Sequence, residues 1–352
     1  MARGDEADPV MEAVDALATE WDRANDDEGF PAGRLSALGQ AGALAAFATL
    51  PDAAAVRRLD RVLRRIGAVD LSLGRLFEGH VNATQLIDAY GSDEQRGALA
   101  RDLEKGRVFG VWNTEPAPMT IADGVLQGAK SFATGAGHID RALITARDAD
   151  GAKHMVLVDI AGEGARADNS GWRVRGMKGT RSGRFDFTGM AADVVGEPND
   201  YEREPRFSAG AWRFAAVQVG AVGSLMRHWR GHLIDTGKGA DPIQRLRFGQ
   251  AVAATRSAGL WVAQAAAAAE RAADNAIPLV LMARGLVEDA GMQAMEGAAR
   301  AVGTASFFEG SRIDRITRDL GLYLRQPVPD QARDRAAAAW LERDEWGEDR
   351  WW

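Results

Sequence analysis

The hydrophobic pattern changes period twice along the chain, and this change restricts the possible fold more than any other feature. Residues 1–105 repeat apolar side chains at helical spacing, as on one face of the amphipathic segment Ala53–Gly67. Between residues 106 and 200 the period becomes that of strands, with glycine- and aspartate-rich turns between them. Residues 201–345 return to helical spacing. This order predicts an α+β protein with an N-terminal helical domain (1–105), a middle β domain (106–200) and a C-terminal helical domain (201–345).

Start and stop signals place the individual elements. Ser92 and Gln95 form a capping-box pattern that opens a helix directly after Gly91. The Trp-rich tail, residues 340–352, is predicted to be a helix end and a surface segment that packs on a neighbour. The predicted helices are Met11–Trp21, Ala32–Gly39, Ala53–Gly67, Asp70–Tyr90, Asp93–Lys105, Ala211–Ile234, Asp241–Asn275, Ile277–Thr304 and Ser311–Arg325. The predicted strands are Phe109–Thr114, Val125–Gln127, Lys130–Thr134, Arg141–Ala146, Met155–Asp159, Trp172–Arg175 and Arg184–Thr188.

Composition disfavours several classes of function. The formal net charge of −7 argues against nucleic acid as a main partner, because such proteins present a basic face. The absence of cysteine excludes disulfides, thiol catalysis and thiolate metal sites. No membrane span is predicted, since no apolar run reaches the necessary length of about 18 residues. The acidic, polar start is unlike a secretory signal, so a cytoplasmic location is expected. No metal site is predicted, because His228 and His232 offer only two ligands.

One stretch, Val108–Ala146, holds the best candidates for ligand contact. Strand ends can hold a flat ligand because backbone N–H and C=O groups and hydroxyls point outward there. The alternative for the second strand is an ordinary pattern, with one ring turned inward and one hydroxyl at a sheet edge. The candidates are Trp112, Asn113 and Thr114 at the end of one strand, and Phe132 and Thr134 at the end of the next.

Two motifs in this stretch resemble those of the acyl-CoA dehydrogenase superfamily. Thr114-Glu115-Pro116 is similar to the Thr-Glu-Pro that ends a flavin-facing strand, and Gly128–Thr134 is similar to the family's Gly-x-Lys-x-aromatic-x-Thr. Either motif alone is weakly specific, but here both occur in order with helical sequence on each side. The resemblance covers nearly the whole chain, and further matches are Tyr90–Arg96, Gly176–Ser182, Trp212–Phe214, Arg245–Gly249 and Asp314–Asp319.

The resemblance implies an N-terminal helical domain, a middle β-barrel-like domain and a C-terminal four-helix bundle. It also implies FAD between the β domain and the C-terminal helices, an acyl-CoA or related small-molecule substrate, and a homodimer or homotetramer. Arg245 and Phe248 match the Arg-x-x-Phe-Gly motif that holds the flavin pyrophosphate, often across a dimer interface. In the implied flavin site Thr114 and Thr134 hydrogen-bond the edge of the isoalloxazine ring, Phe132 packs on it, and Trp112 and Asn113 lie beside it.

Two departures from the family pattern affect the expected reaction. The loop after Pro116 is short, so part of the usual wall for flavin phosphates and substrate is missing. α,β-Dehydrogenation also needs a carboxylate that removes the α-proton. The two positions where the family places this glutamate are Pro327 and Trp212 here, and neither side chain accepts a proton. No glutamate base is therefore identified.

Three functions remain open at this point. The first is a dehydrogenase that acts on CH-CH donors, in which Arg213 lines the acyl pocket or forms a buried ion pair. The second is a flavin-dependent monooxygenase of the same fold, with His80 as proton donor; the alternative for His80 is a structural helix histidine. The third is an inactive homologue that acts as a partner subunit. The retained motifs at Thr114 and at Phe132 and Thr134 favour an enzyme.

Overall fold

The computed structural model describes residues 8–23, 28–326 and 328–342, and the backbone of 345–346 and 349–350. Pro327 and the side chains of the tail beyond Glu342 lie outside the described residues, so the expectations for them stay predictions. Asp52 and Asp70 cap the third and fourth helices, and the predicted capping box of Ser92 is present. The N-terminal helices are α1 (Pro9–Arg23), α2 (Ala32–Gln40), α3 (Ala53–Val69), α4 (Leu71–Tyr90) and α5 (Asp93–Glu104).

The middle segment forms two sheets. One has the strand order β3-β2-β5-β6-β9, with β1 also paired in parallel to β5, and the other has the order β4-β8-β7. Within the described residues both sheets stay open and do not close into a barrel. The strands are β1 (Phe109–Trp112), β2 (Thr120–Ala122), β3 (Val125–Gln127), β4 (Ala129–Ala133), β5 (Arg141–Arg147), β6 (Lys153–Asp159), β7 (Ala167–Asp168), β8 (Gly183–Asp186) and β9 (Asp193–Val195).

The predicted strand Trp172–Arg175 is wrong, and this segment is a loop. The backbone N–H of Trp172 bonds to the carbonyl of Asn169, which closes a turn instead of a ladder. The indole N–H of Trp172 donates to the carbonyl of Met177 at 3.1 Å. Local side-chain and turn hydrogen bonds therefore replace sheet pairing in this segment.

The C-terminal segment is helical and packs directly on the N-terminal helices. A Cβ atom at Gly220 would lie 2.0 Å from the carbonyl oxygen of Arg64, and one at Gly67 would lie 2.1 Å from that of Val217. Helices α3 and α7 therefore cross with their backbones in contact. The elements are α6 (Arg206–Ala209), α7 (Trp212–Asp235), α8 (Pro242–Glu270), α9 (Ala276–Val302), α10 (Arg312–Tyr323), α11 (Pro329–Glu342), β10 (Glu345–Trp346) and β11 (Asp349–Arg350).

One apolar core extends through all three segments. The same buried cluster contains Leu63 of α3, Ile144 of β5 and Val217 of α7. Because this core does not separate the three segments, the domain boundaries at residues 105 and 200 stay a prediction. Among the described residues, no helix is long and apolar enough to cross a membrane, and no cluster of three or more acidic or histidine side chains could hold a metal ion.

Candidate functional site

A large cavity lies where the ends of β1 and β4 face the helices. Its volume is about 680 Å³, within the range of about 300–1,000 Å³ typical of small-molecule sites. Helix α4 lines one part, and residues from α6, α7, α9 and the end of α10 line another. The sequence-predicted residues that it brings together are Trp112, Asn113, Thr114, Phe132, Thr134 and Arg213.

The two motif strands are connected to each other at the cavity wall. The indole N–H of Trp112 donates to the carbonyl of Thr134 at 2.9 Å. The backbone N–H of Ser131 donates to the carbonyl of Thr114 at 2.8 Å. Trp112 is buried, and its ring also contacts Phe185. The strand ends therefore form one stable wall with a flat apolar part and exposed polar atoms beside it.

A buried lysine connects the same two motifs through their side chains. Lys130 has no exposed surface, and its Nζ lies 2.5 Å from Glu115 Oε2 and 3.2 Å from Thr145 Oγ1. The hydroxyl of Thr145 in turn donates to the Asn113 side chain. Burial lowers the pKa of Lys130, and the Glu115 carboxylate opposes this shift. The Glu of Thr-Glu-Pro and the Lys of the second motif are thus an ion pair that fixes Asn113 at the cavity wall.

Thr134 ends a chain of buried hydroxyl groups. Its Oγ1 lies 3.0 Å from Ser182 Oγ, and the Ser182 hydroxyl donates to Thr180 Oγ1 at 2.8 Å. The Thr180 hydroxyl donates to the carbonyl of Met177, also at 2.8 Å. All three hydroxyl residues line the cavity. Because the single proton of Ser182 goes to Thr180, the Thr134 hydroxyl donates to Ser182, and the remaining lone pair of Thr134 can accept a hydrogen bond from a ligand edge.

Phe132 has an unusual backbone for an aromatic residue. Its φ is +52°, and the register between β4 and β8 shifts between Lys130 and Ala133. The ring is 60% exposed and contacts Trp172 edge-on, with centroids 6.5 Å apart. A positive φ in a residue with a Cβ costs on the order of 1–3 kcal/mol, and such residues are enriched at functional sites. The bulge therefore turns the ring towards the cavity at a cost in backbone energy.

A polar cluster on α4, which the sequence analysis missed, forms another part of the lining. Glu78 is 1% exposed and accepts from Arg75, from Asn82 Nδ2 at 2.6 Å and from the Tyr323 hydroxyl at 3.3 Å. Burial and the neighbouring Glu78 carboxylate raise the pKa of Tyr323 well above its ordinary value. Burial also raises the pKa of Tyr201 to about 12. One feature of the sequence could have indicated this cluster, because Glu78 directly follows Phe77 inside a helix rich in apolar residues.

Arg213 lines the cavity and also forms a buried ion pair, while an acyl substrate beside it stays a prediction. Its Nη2 donates to Glu270 Oε1 at 2.6 Å and to the side chain of Gln85. Burial lowers the pKa of Arg213, and the carboxylate of Glu270 opposes the shift. The Nε–H has no acceptor among the described residues, although the side chain is 94% buried. A buried donor without a partner costs about 1–3 kcal/mol and favours a ligand acceptor.

His80 does not line the cavity, and the expectation that it donates a proton to a substrate is not carried forward. Its Nε2 lies 2.8 Å from the carbonyl of Leu44, and its Nδ1 accepts the N–H of Phe109 at 3.1 Å. Both ring nitrogens are therefore used by backbone groups. Burial lowers the pKa of His80 to about 4, so at neutral pH the ring is neutral and connects α4 to two other segments.

Arg245 and Phe248 lie away from the cavity. Arg245 is exposed near the start of α8 and donates to the carbonyl of Ala240. Phe248 is half-buried, and its ring packs edge-on against Trp229 with centroids 5.1 Å apart. The resemblance implies that they hold the flavin pyrophosphate of a neighbouring subunit, and this role stays a prediction. At the possible base position on α7, the buried indole of Trp212 donates to Glu270 at 2.8 Å.

This chain is similar to one group of known proteins in sequence and to a second group in structure. No protein-family model matches the chain. The dibenzothiophene monooxygenase of Mycolicibacterium goodii is 30% identical over 158 residues, which are 39% of this chain and 38% of that protein. The dibenzothiophene monooxygenase of Rhodococcus erythropolis is 28% identical over 160 residues, 40% and 38% of the two chains. The matched segment therefore spans well under half of these curated relatives.

Solved structures match over almost the full chain. TdsC from Paenibacillus sp. A11-2, crystallised with FMN and indole, has a TM-score of 0.82 and 17% identity, covering 95% of this chain and 97% of its own. Butyryl-CoA dehydrogenase from Megasphaera elsdenii has a TM-score of 0.79 and 13% identity, covering 96% and 100%. The chain has the acyl-CoA dehydrogenase fold, as the sequence resemblance predicted, in a divergent form.

Proposed function

We propose that this protein is a flavin-dependent monooxygenase of the acyl-CoA dehydrogenase fold, which inserts one oxygen atom into a small, flat substrate. The observation that supports this proposal best is the cavity itself. It has the aromatic and hydroxyl wall expected for a flavin, but the sequence has Trp212 and Pro327, and no carboxylate, at the family's base positions. Dehydrogenation of an acyl-CoA, the first expectation from the sequence, needs such a carboxylate. The named relatives by sequence are monooxygenases, which points the same way.

The residues at the strand ends fit a flavin. Trp112 and the exposed ring of Phe132 offer flat apolar surface, and Asn113, Thr114 and Thr134 offer polar atoms beside it. A reduced flavin, when bound, supplies two electrons to dioxygen, so that one oxygen atom enters the substrate and the other leaves as water. Resemblance favours FAD, whereas the solved TdsC holds FMN. We therefore propose a flavin, and the choice between the two is an outcome of the test.

The chain's own groups control protons and water around such a reaction. The Tyr323 hydroxyl is protonated at neutral pH and donates to Glu78, and its raised pKa extends this protonation further into the alkaline range. Glu78 cannot readily act as a base, since Arg75 and Asn82 hold its carboxylate as well. Phe214 and Trp112 add apolar surface that excludes water from the cavity. This arrangement suits oxygen transfer better than abstraction of an α-proton.

We also retain the expectation of a homo-oligomer. Three large apolar side chains on α8 are more than half exposed: Ile243, Leu246 and Leu260. Arg245 is also exposed near the start of α8, so a second copy packed on this helix would lie near the residue predicted to hold the flavin pyrophosphate. Apolar patches of this kind often mark protein interfaces. Light scattering of the purified protein measures the mass directly; a monomer would contradict this part of the proposal.

The test begins with absorption spectra of the purified protein titrated with FMN and with FAD. We then expect the reduced, flavin-loaded protein to consume oxygen and to add one oxygen atom to indole or dibenzothiophene, detected by mass spectrometry. Anaerobic bleaching of the flavin by butyryl-CoA would instead identify a dehydrogenase. Absence of flavin bands with either cofactor would leave only the inactive homologue. Thr134→Val should weaken flavin binding, whereas Thr236→Val, at the exposed end of α7, is the matched control.

A further inference from the structure

The cavity is lined by far more positive than negative groups. Among the described residues, the lining includes a single carboxylate, Glu78, and no lysine. A cavity with low-dielectric walls and charges of one sign concentrates ligands of the opposite sign. The arginines that line it are Arg75, Arg206, Arg213, Arg284, Arg325 and Arg335.

Acidic partners offset this charge only in part. Arg75 pairs with Glu78, and Arg213 pairs with Glu270 at 2.6 Å. Arg325 pairs with Glu288, while the Glu204 carboxylate lies 3.9 Å from Arg335 and both of these side chains are substantially exposed. Among the described residues, the six arginines that line the cavity therefore outnumber the four carboxylates named with them, which are Glu78, Glu204, Glu270 and Glu288.

The arginines also act on one another. Burial lowers the pKa of Arg284 to about 10; the Glu288 carboxylate opposes this shift, and the charge of Arg335 adds to it. Burial lowers the pKa of Arg213, and the charge of Arg206 adds to that shift. Two pairs of like charges thus face the same space, an arrangement that a bound anion relieves.

Apolar surface lies directly beside these guanidinium groups. The Arg284 guanidinium carbon lies 5.0 Å above the ring of Phe214, and this ring contacts Tyr323 with centroids 6.4 Å apart. Phe207, 45% exposed, also lines the cavity. The unsatisfied Nε–H of Arg213 is on the helix that carries Phe214. A flat ring with an acidic substituent matches this combination of surfaces.

We propose that the substrate is an aromatic molecule that carries an oxyanion, a carboxylate or sulfonate, and that Arg284 and Arg213 bind this group. That this molecule is oxygenated rests on the proposed function, whereas the site for its oxyanion rests on the arginines that line the cavity. The same oxyanion chemistry is present in the phosphate of a flavin. The experiment below therefore separates a substrate anion from a flavin phosphate.

The test measures binding to the full-length protein by titration calorimetry, with and without saturating FMN, using indole and indole-3-carboxylate as a matched pair. We expect the carboxylate to bind at least about tenfold more tightly, as charge-assisted hydrogen bonds should allow. The preference should shrink as salt is raised, since the cavity is open to solvent at its rim. Equal affinities for the two probes in the wild type would overturn the proposal, without recourse to any variant.

Variants then identify the arginine. Arg284→Met should remove the preference and leave the affinity for indole within about twofold. Arg300→Met is the control, because Arg300 is on the same helix but exposed and paired with Glu296 outside the cavity. If Arg284→Met does not fold, Arg335→Met at the exposed rim removes a neighbouring positive charge instead and should reduce the carboxylate preference in part. An equal loss for both probes would contradict a specific oxyanion contact.

A second pair of ligands distinguishes the source of the anion. FMN and riboflavin differ only by the phosphate. If Arg284→Met reduces the preference for FMN over riboflavin, and not that for indole-3-carboxylate over indole, the arginines bind the flavin and the substrate proposal fails. A carboxylate preference without oxygen-dependent product would support the anion site and overturn the proposed function. Oxygenation of indole without a carboxylate preference would do the reverse.

Discussion

Replacing His80 distinguishes a structural histidine from a catalytic one. The structure uses both ring nitrogens to hold backbone groups, the Leu44 carbonyl and the Phe109 N–H. A glutamine amide cannot satisfy both groups from the same position. At about pH 8 we expect His80→Gln to lower the free energy of unfolding by about 2 kcal/mol, the usual cost of one buried unsatisfied group.

The pH dependence gives a sharper number. Burial lowers the pKa of His80 from 6.5 to about 4. A depressed pKa means that the folded state binds fewer protons than the unfolded state, so stability is lost as pH falls from 6.5 towards 4. At about pH 5.5 this loss amounts to about 1.4 kcal/mol, and at about pH 8 it is negligible. The deficit of His80→Gln should therefore shrink from about 2 to about 0.6 kcal/mol between these two pH values.

Urea unfolding of wild type and variant at both pH values measures this difference, and contributions from all other titrating groups cancel. Thr84→Val is the control, because Thr84 is equally buried on α4 but does not titrate. An unchanged deficit at both pH values would refute the reasoning about burial. A variant of full stability that forms no oxygenated product would instead return His80 to the chemistry.

Three further predictions concern other parts of the molecule. Burial raises the pKa of Asp319 to about 6, so ionisation of this carboxyl opposes folding. Asp319→Asn should therefore gain stability relative to wild type, by up to about 3 kcal/mol, as pH rises from about 4 to about 7. Thermal melts in which the difference in stability between variant and wild type stays constant over that range would count against this. Gly220→Ala should lower the free energy of unfolding by more than the about 1–3 kcal/mol typical of overpacking, since the new methyl group would meet the Arg64 carbonyl. In Gly223→Ala the new methyl group meets nothing within 4 Å, so this control should be neutral or stabilising in chemical denaturation. Phe132→Gly should stay within about 1 kcal/mol of wild-type stability, because glycine adopts a positive φ without strain. The same variant should bind flavin about threefold to tenfold more weakly in a fluorescence titration, because the aromatic ring is lost. Unchanged flavin affinity would mean that the ring does not contact the flavin.

Periodicity and capping signals predicted most of the fold because they act over short distances. The amphipathic face of α3 and the capping box of Ser92 are encoded within a few residues, and both are present. Trp172–Arg175 was predicted as a strand from composition, but hydrogen bonds from its own indole to Met177 decided otherwise. Helix α11 carries a weak apolar stripe and gave no comparable signal.

The candidate site was predictable where its residues are consecutive and unpredictable where the fold assembles them. Phe132 and Thr134 belong to a short motif and both line the cavity, while their contact with a flavin stays a prediction. Arg284 and Tyr323 come from separate helices, and no local spacing indicates that they share one space. His80 illustrates the opposite case: it is next but one to Glu78, yet only Glu78 faces the cavity.

The ion pair between Lys130 and Glu115 has a consequence for how such a sequence can diverge. Loss of either charge leaves the other poorly compensated, so a substitution at one position is tolerated mainly when the other changes too. These two positions, fifteen residues apart, should therefore change together, so that related sequences keep both charges or replace both. A double-mutant cycle with Lys130→Met and Glu115→Gln measures this epistasis, which should recover at least about 1 kcal/mol relative to the sum of the single changes.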